Sequence, residues 1–499
     1  MKKKMFRILL ILAITVFFYP SRAQEKPKEP LKEIPKETLK EISSVTKHTI
    51  RIGGETISYT AAAGTYVLKE DGGKQLATIF HIAYMKDGVK DYSRRPLLFS
   101  FNGGPGTASV WLHMGVLGPR RVFYDDDGFA LQPPFKVVDN EYSILDVADV
   151  VFIDPVATGY SRMSPGEDPH KYHGTMEDIE SVGEFIRLWV TRNNRWESPK
   201  YLIGESYGTT RASGLADHLQ ERHLMFLNGV ILVSMTSLNV ETGEDLGYAL
   251  ILPHYTATAW YHKKLSADLQ NRPLRDLLDE VEKFAMKDYL LTLTKGGYVP
   301  ESEKAEVIRK LSRYTGLSPD YIRYSNLRIE RGRFRKELLR DENRTVGRLD
   351  SRYKGIDKDA AGESIEYDPA IVDWEGTFSG AFNQYIRSEL KYETDLSYEI
   401  WGNVRPWKRD PSVRVGEMLR QAMHKNKYLE VFIAEGYYDA ACDYFTAQYV
   451  FSHLDLNGAL KDRIHFGFYE SGHMMYCHKP SLIQMKKDLT GFIRSAMPE

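Results

Sequence analysis

The stretch Tyr201-Leu202-Ile203-Gly204-Glu205-Ser206-Tyr207-Gly208 decides the fold. It begins as a short apolar strand, passes through Gly-x-Ser-x-Gly, and continues over residues 209 to about 221 with apolar residues at helical spacing. A serine on a sharp turn between strand and helix projects its hydroxyl above a sheet, at a helix N-terminus whose amides favour a developing oxyanion. The pattern therefore predicts a nucleophile elbow with Ser206 at its tip.

Segments on both sides of the elbow alternate between continuous apolar runs and helical stripes. Continuous apolar runs suit parallel strands that are covered on both faces. The alternation predicts an α/β fold with a doubly wound, mostly parallel sheet. Strands are expected over residues 96–101, 149–154, 201–205, 229–233, 429–434 and 464–469, and helices over 109–117, 175–193, 209–221, 441–454 and 480–496.

Residues 47–86 have a different pattern, with polar and apolar residues alternating in short segments. Gly53-Gly54 and Asp71-Gly72-Gly73 separate some of these segments. The pattern predicts an N-terminal antiparallel meander. Four strands are expected, over 48–52, 57–60, 65–68 and 77–84.

Helical stripes dominate between about 239 and 427, at 274–293, 301–314 and 382–390. We expect a mainly helical cap over 239–427, inserted into a core of residues 46–238 and 428–499. The run Arg331-Gly332-Arg333-Phe334-Arg335-Lys336 lies in this cap. A solvated helix face is favoured over a binding patch for such a charged run.

The N-terminal residues have the pattern expected of an export signal. Lys2, Lys3, Lys4 and Arg7 precede an apolar run over 8–19, and Ser21-Arg22-Ala23 provides small residues where a signal peptidase cleaves. The run is too short to span a bilayer comfortably, so a cleaved signal peptide over 1–23 is expected rather than a membrane anchor. Residues 24–45 are rich in Lys, Glu and Pro and read as a linker. The mature protein should be periplasmic or extracellular, without stable membrane insertion.

Composition narrows the functional class. The formal net charge is −1, with 67 basic and 68 acidic residues, which provides no field to attract nucleic acid or an anionic membrane. Only two cysteines are present, which excludes a disulfide-rich scaffold. The oligomeric state stays open.

Two late strands end in residues that complete a catalytic set. The strand at 429–434 leads to Asp439, and the strand at 464–469 leads to His473. Carboxyl ends of parallel strands share one edge of a sheet, so both loops should meet the elbow. The order Ser206, Asp439, His473 is that of the α/β-hydrolase triad, with Ser206 as nucleophile, His473 as base and Asp439 as its partner. Asp443 is the alternative to Asp439.

The segment Phe101-Asn102-Gly103-Gly104-Pro105-Gly106 follows a predicted buried strand. Glycines let backbone amides approach a ligand closely. The Gly104 and Tyr207 amides are therefore the expected oxyanion hole, and a simple tight turn is the alternative.

Five motifs occur in a fixed order along the chain: Asn102-Gly-Gly-Pro-Gly106, Ile153-Asp-Pro-Val-Ala-Thr-Gly-Tyr-Ser161, Gly204-Glu-Ser-Tyr-Gly208, Asp439-x-x-Cys442 and Gly472-His-Met474. With these motifs the chain resembles the serine carboxypeptidases, from about residue 95 to the C-terminus. The resemblance implies removal of C-terminal amino acids from peptides, usually at acidic pH, without metal or cofactor. It also implies that Asn102 and a protonated Glu205 bind the substrate carboxylate, and that Tyr207, Cys442 and Met474 line substrate pockets.

The chain departs from this family at three places. Val116 stands where the family usually has a second glutamate that shares a proton with the elbow glutamate, which leaves the pH optimum and the carboxylate preference open. Ser100 replaces a usual tryptophan, and Thr107 replaces a cysteine, so a family disulfide is missing. Cys442 and Cys477 follow the proposed Asp439 and His473 closely, and either a bridge or two free thiols is compatible with this spacing.

The sequence predicts a serine-type carboxypeptidase that acts on peptides through an acyl-enzyme on Ser206. An esterase or acyltransferase with the same triad is the first alternative, because Val116 permits it. An inert hydrolase fold used for binding is the second, and the complete triad argues against it.

Overall fold

The computed structural model describes residues 39–498. The predicted signal peptide and the linker residues 24–38 lie outside the described residues. The first strand begins at Ser43, inside the range expected as linker. None of the helices between residues 39 and 498 combines the length and apolar character needed to cross a membrane.

Fourteen strands occur within the described residues, and ten of them form one sheet. They are β1 (Ser43–Ile52), β2 (Glu55–Lys69), β3 (Gln75–Lys86), β4 (Leu97–Phe101), β5 (Arg120–Val122), β6 (Val137–Asp139), β7 (Asp149–Ile153), β8 (Arg162–Met163), β9 (Lys200–Glu205), β10 (Gly229–Val233), β11 (Thr345–Val346), β12 (Lys354–Gly355), β13 (Glu430–Gly436) and β14 (Ile464–Tyr469).

The helices accompany these strands, together with short 3₁₀ turns and π-helical segments at His113–Leu117 and Ala285–Tyr289. They are α1 (Val110–Leu112), α2 (Thr175–Arg192), α3 (Tyr207–His223), α4 (Glu244–Tyr261), α5 (Ala267–Gln270), α6 (Leu274–Phe284), α7 (Leu290–Thr294), α8 (Glu301–Thr315), α9 (Pro319–Tyr324), α10 (Arg331–Glu337), α11 (Pro369–Ser388), α12 (Val415–Lys425), α13 (Tyr444–Leu454) and α14 (Lys479–Ser495).

The main sheet has the order β1-β2-β3-β7-β4-β9-β10-β13-β14, with β8 paired to β3. Strands β7, β4, β9, β10, β13 and β14 are parallel, and β1 to β3 join them antiparallel. This arrangement confirms the predicted mostly parallel sheet with N-terminal antiparallel strands. The meander has three strands rather than four, because β2 runs unbroken through 61–64 while β1 and β3 pair with it on opposite sides.

Alternate residues of the central strands face two apolar layers. In β9, Tyr201 and Ile203 belong to the layer that contains α11 and α14, whereas Leu202 belongs to the layer that contains α2, α3 and α12. Helices on both faces explain why these strands are continuous apolar runs. The sheet is therefore doubly wound, as predicted.

The range predicted as one cap is divided in its packing. Helices α4 and α6 to α10 contribute to a separate apolar cluster, whereas α11 and α12 pack against opposite faces of the main sheet. Helix α11 begins at Pro369, well before the predicted start at 382. The side chain of Asp368 caps it by accepting from the amide of Ala370, and proline occupies the first turn, where its missing N–H costs nothing.

A buried ionic cluster fixes the start of β7. Asp149 Oδ1 accepts from the Lys86 amide (2.9 Å) and Arg95 Nε (2.9 Å), and Oδ2 accepts from Arg195 Nη1 (2.7 Å). Asp149 and Arg195 are each 1% exposed. Removing one partner from such a cluster leaves buried charge uncompensated.

Asp149→Ala should therefore lower the free energy of unfolding by about 3–5 kcal/mol. The matched control is Asp395→Ala, which removes an exposed carboxylate 3.7 Å from Arg387 and should change it by less than about 1 kcal/mol. Urea unfolding of the purified proteins measures both. Similar losses in the two variants would contradict a structural role for the Asp149 cluster.

Candidate active site

The elbow positions Ser206 between β9 and α3. Ser206 has φ 58° and ψ −127°, and its amide donates to the Val233 carbonyl (3.0 Å). A Cβ on Gly204 would lie 2.0 Å from the Gly208 carbonyl oxygen, and a Cβ on Gly208 would lie 2.9 Å from the Phe101 carbonyl oxygen. Glycine is needed at both places because the turn leaves no room for a side chain. Ser206 itself is half-buried, at the tip of the turn predicted from the sequence.

Asp439 and His473 meet at the same sheet edge. His473 Nδ1 donates to Asp439 Oδ2 at 2.5 Å, and Asp439 Oδ1 accepts from the amides of Ala441 (2.8 Å) and Cys442 (3.1 Å). Because Nδ1 carries the proton in this bond, Nε2 of neutral His473 is left as an acceptor. The pair has the geometry of the acid and base in a serine hydrolase triad.

Asp443 does not contact His473. Its carboxylate caps α13 by accepting from the Thr446 amide (3.0 Å), and it accepts from Arg331 Nη2 (2.9 Å). The hydrogen bond to His473 therefore favours Asp439 over the alternative.

The basic run of α10 is not a solvated face throughout. Arg331 Nη1 donates to the Ala440 carbonyl (2.8 Å), next to Asp439, and Lys336 forms a buried pair with Asp357 (2.6 Å). The favoured interpretation of this run was wrong for these two residues. A helical run of basic residues carries no signal for which member turns inward.

Two opposing effects set the pKa of His473. Burial lowers it, but the adjacent Asp439 carboxylate outweighs burial and leaves the pKa above its ordinary value. Glu205 adds to the increase, and Arg348 opposes it. A base with a raised pKa accepts the proton of a serine hydroxyl more readily.

Residues 348–352, here called the strap, lie between the two catalytic loops. The Arg348 carbonyl accepts from the Ala440 amide (3.0 Å), and the Leu349 carbonyl accepts from the His473 amide (2.7 Å). Asp350 Oδ2 accepts from the Gly472 amide (3.1 Å) and pairs with buried Arg352 (2.7 Å). The strap therefore fixes the Asp439 and His473 loops relative to each other, a contact that no sequence motif indicated.

The end of β10 supports the same loops from another side. Ser234 Oγ donates to the His473 carbonyl (2.7 Å), and the Met235 amide donates to Glu435 Oε1 (3.0 Å). Glu435 is fully buried, and burial raises its pKa well above the ordinary value. Together with the Ser206–Val233 bond, these contacts connect the end of β10 to all three catalytic segments.

The Gly-rich turn packs directly on the elbow. A Cβ on Gly103 would lie 2.4 Å from the Tyr207 nitrogen, and Gly104 has φ 103°, which favours glycine. Gly104 and Tyr207 line one cleft. Within residues 39–498, neither amide donates a hydrogen bond, so both are available to a ligand oxygen. These are the properties required of the predicted oxyanion hole.

The buried ion pair of Arg211 and Asp178 anchors the Gly-rich turn. Arg211 Nε donates to Asp178 Oδ2 (2.8 Å), and Arg211 Nη1 donates to the Asn102 carbonyl (2.6 Å). The Tyr207 hydroxyl donates to the same Asp178 oxygen (3.2 Å). Asn102 and Tyr207 are thus attached to one buried anchor.

The motif at 153–161 supports the next part of the turn. Asp154 Oδ1 accepts from the amide and hydroxyl of Ser109, both at 2.8 Å. Burial raises the pKa of Asp154 to about 6. A Cβ on Gly159 would lie 1.7 Å from Asp154 Oδ2, so glycine is required there.

Asn102 and Glu205 form a buried cluster with a third residue, Tyr476. Asn102 Nδ2 donates to Glu205 Oε1 (3.0 Å), and the Tyr476 hydroxyl donates to Oε2 (2.6 Å). Sequence reasoning missed Tyr476, because a tyrosine after the histidine loop has no distinguishing pattern. Its position relative to Glu205 follows only from the fold.

Burial raises the pKa of Glu205 to about 7, against the effects of His473, Tyr476 and Asn102. Val116, where the resembled family has a second glutamate, is 1% exposed and belongs to an apolar core cluster. Desolvation thus raises the pKa of Glu205, as the second glutamate is expected to do in the resembled family. A neutral Glu205 can donate a hydrogen bond from its carboxyl O–H to a ligand carboxylate.

The remaining predicted pocket residues differ in exposure. Tyr207 is half-buried and lines the cleft, Cys442 is half-buried, and Met474 is 3% exposed within a core cluster. Cys442 and Cys477 are both free thiols, so of the two open possibilities the bridge is wrong. Within residues 39–498, one group could hold a metal ion: Asp439, Cys442 and His473, whose ligand atoms lie within 4.8 Å of one another.

This chain is similar in sequence to known serine carboxypeptidases and serine carboxypeptidase-like proteins. The family model described as serine carboxypeptidase matches residues 59–304. Serine carboxypeptidase-like 36 of Arabidopsis thaliana is 33% identical over 177 residues, 34% of each chain. Serine carboxypeptidase-like 26 of Oryza sativa subsp. japonica is 30% identical over 133 residues, 26% of each chain. The matches therefore span about a third or less of the length of these curated relatives.

A solved structure shows the fold over a longer range. The prohormone-processing carboxypeptidase Kex1(delta)p of Saccharomyces cerevisiae has a TM-score of 0.54 and 16% identity, and the alignment covers 88% of this chain and 91% of that one. At this identity the likeness concerns the fold alone. It confirms the predicted α/β-hydrolase fold.

The pKa of Glu205 predicts a pH-dependent stability. Its ordinary value is 4.5 and its folded value about 7, so between these pH values the folded protein holds a proton that the unfolded chain releases. Stability is therefore lost as pH rises, until the loss is complete above about 7. Glu205→Gln should remove this loss, which amounts to about 1.4 kcal/mol per unit of pKa difference.

Urea unfolding at about pH 5 and pH 8 checks this expectation, because the stability of Glu205→Gln relative to the unsubstituted protein should rise between the two conditions. Glu55→Gln, at the exposed first residue of β2, is the control and should show no such rise. Parallel pH profiles for Glu205→Gln and the unsubstituted protein would contradict the raised pKa.

Proposed function

This chain belongs to the serine carboxypeptidase family, and from that premise we propose that it is a serine-type carboxypeptidase that releases C-terminal amino acids from peptides. The observation that carries the proposal is the buried Asn102–Glu205–Tyr476 cluster next to the Ser206 elbow. A triad alone serves many acyl-transfer reactions. A neutral buried carboxyl beside it adds a group suited to a substrate carboxylate.

The first half-reaction forms an acyl-enzyme. His473 Nε2 accepts the Ser206 proton while Oγ attacks the carbonyl carbon of the last peptide bond. The Gly104 and Tyr207 amides donate to the oxyanion of the tetrahedral intermediate. His473 then gives its proton to the leaving nitrogen, the C–N bond breaks, and the C-terminal amino acid departs.

Water completes the reaction. His473 accepts a proton from a water molecule while the water oxygen attacks the acyl carbon. His473 then gives that proton to Ser206 Oγ as the ester bond breaks. Asp439 keeps the Nδ1 proton of His473 in place and stabilises the imidazolium formed in both halves. The proposed mechanism uses no metal or cofactor.

Glu205 supplies selectivity for the free C-terminus. In its neutral form Glu205 can donate one hydrogen bond to the substrate carboxylate, and the Asn102 amide group can donate another. An ionised Glu205 would repel the same carboxylate. The site thus recognises a charged terminus with a group that is neutral at acidic pH.

The proposed setting is outside the cytoplasm. We infer export through the signal peptide predicted for residues 1–23, followed by action on peptides in the periplasm or the extracellular medium. Peptides, rather than nucleic acid or membrane, are the proposed partners.

A second candidate function follows from Val116. Because Val116 replaces the family's second glutamate, an esterase or acyltransferase could use the same triad. Rates on a blocked dipeptide and on its C-terminal amide distinguish the two functions. A carboxypeptidase should hydrolyse the free acid at least about tenfold faster, since one charge-assisted hydrogen bond provides about 1.5–3 kcal/mol. Equal rates would favour the esterase.

Labelling with a fluorophosphonate tests the nucleophile. The unsubstituted protein should be labelled covalently, and Ser206→Ala should lose both the label and all amino-acid release, since Ser206 supplies the attacking oxygen. Ser213→Ala is the matched control, because Ser213 lies on the same helix with a buried hydroxyl. Labelling that survives Ser206→Ala would refute the assignment.

The pH dependence of peptide hydrolysis tests Glu205. Below about pH 7 Glu205 is neutral and binds the carboxylate, so KM should rise as pH increases above that value. At low pH, protonation of His473 should reduce kcat. Glu205→Gln stays neutral at every pH and should abolish the rise in KM. An unchanged rise in this variant would show that another group controls carboxylate binding.

A further inference from the structure

A cleft of about 790 Å³ opens beside the proposed oxyanion hole. Gly104, Pro105 and Tyr207 form its inner wall. Within residues 39–498, its lining does not include Asn102, Glu205 or Tyr476. The cleft and the Glu205 cluster are thus two separate sites, and each is adjacent to the elbow.

Residues 401–413, here called the cleft loop, provide much of the outer wall. The Gly402 amide donates to the Gly106 carbonyl (2.7 Å), and the Lys408 amide donates to the His173 carbonyl (2.8 Å). The Trp407 ring packs edge-on against Tyr207, with ring centroids 5.4 Å apart. The loop is therefore anchored to both the Gly-rich turn and the elbow.

Two arginines of the cleft loop line the cleft without a partner. Arg405 and Arg409 are exposed, and neither forms an ion pair or a side-chain hydrogen bond with any residue in 39–498. Asp410 also lines the cleft, and its carboxylate keeps its charge while it accepts from the amide and hydroxyl of Ser412. Glu177 pairs with Lys408, and Asp178 is buried in its pair with Arg211. The cleft lining thus carries two arginines against one carboxylate, a net positive charge.

We propose that this cleft binds the substrate residues that precede the scissile bond and selects peptides with acidic side chains there. The inference rests on the proposed function, because that function places the C-terminal residue at Glu205. The acyl carbonyl must then sit at the Gly104 and Tyr207 amides. The substrate residues before this carbonyl lead away from Glu205, and the cleft that Gly104 and Tyr207 line is the space available to them.

Guanidinium groups suit this role chemically. The planar guanidinium of arginine binds a carboxylate through two parallel hydrogen bonds. The cleft is open to solvent, so each pair contributes the modest amount typical of exposed ion pairs. Two such pairs should favour an acidic peptide over its amide analogue by roughly five- to tenfold in kcat/KM.

Matched peptides test the inference. Blocked tripeptides with the same C-terminal residue carry Glu-Glu or Gln-Gln at the two preceding positions, which changes charge with little change in shape. At about pH 6, where free glutamate side chains are ionised, the Glu-Glu peptide should be hydrolysed faster. Arg405→Gln/Arg409→Gln should bring the ratio of the two kcat/KM values close to one.

The control variant is Arg414→Gln, which removes an exposed arginine that follows the cleft loop and does not line the cleft. It should keep the ratio of the unsubstituted protein. Salt at about 0.5 M should lower that ratio, because it screens exposed pairs. Fluorophosphonate labelling at the original rate confirms that each variant is folded at the elbow.

Two results would overturn the inference: a ratio near one in the unsubstituted protein, or a ratio that survives loss of both arginines. Failure of the proposed function gives a different result. In that case neither peptide would release an amino acid, although Ser206 would still be labelled.

Discussion

The close approach of two backbone segments governs the whole site. The Gly-rich turn lies against the elbow so tightly that Gly103, Gly204 and Gly208 have no room for a side chain. This contact brings the Gly104 and Tyr207 amides to one place and puts Asn102 beside Glu205. The buried Arg211–Asp178 pair contacts both segments, through the Asn102 carbonyl and the Tyr207 hydroxyl. The proposed oxyanion hole and the proposed carboxylate site thus depend on one steric constraint, and a methyl group at any of these glycines would disturb both.

Desolvation, more than any neighbouring charge, sets the chemistry of Glu205. In the family that the chain resembles, a second glutamate shares the proton, whereas Val116 is part of the apolar core here. Burial still raises the pKa of Glu205 to about 7. Glu205 therefore reaches its neutral form without the second glutamate of the resembled family. The chain retains the neutral acid and omits the like-charge pair, which is costly to bury.

Sequence reasoning predicted the elements whose pattern is local. Continuous apolar runs gave the parallel strands, and Gly-x-Ser-x-Gly between a strand and a helix gave the elbow. It failed where long-range contacts decide. Strand β2 continues through 61–64 because two partners pair with it, Arg331 turns toward Ala440, and Tyr476 reaches Glu205 only in the folded chain. The early start of α11 differs from these cases, because it is marked by a local capping signal in the sequence, Asp368-Pro369.

The strap also bears on how the site can move. Its backbone bonds to the Asp439 and His473 loops, together with the Asp350–Gly472 contact, join part of the inserted region to the catalytic machinery. A swinging lid hinged on these residues would break the alignment of base and acid whenever it opened. Residues 348–352 therefore behave as a fixed part of the frame, and the machinery is preorganised before a ligand arrives. The alignment of Asp439 with His473 therefore needs no closing motion of this segment.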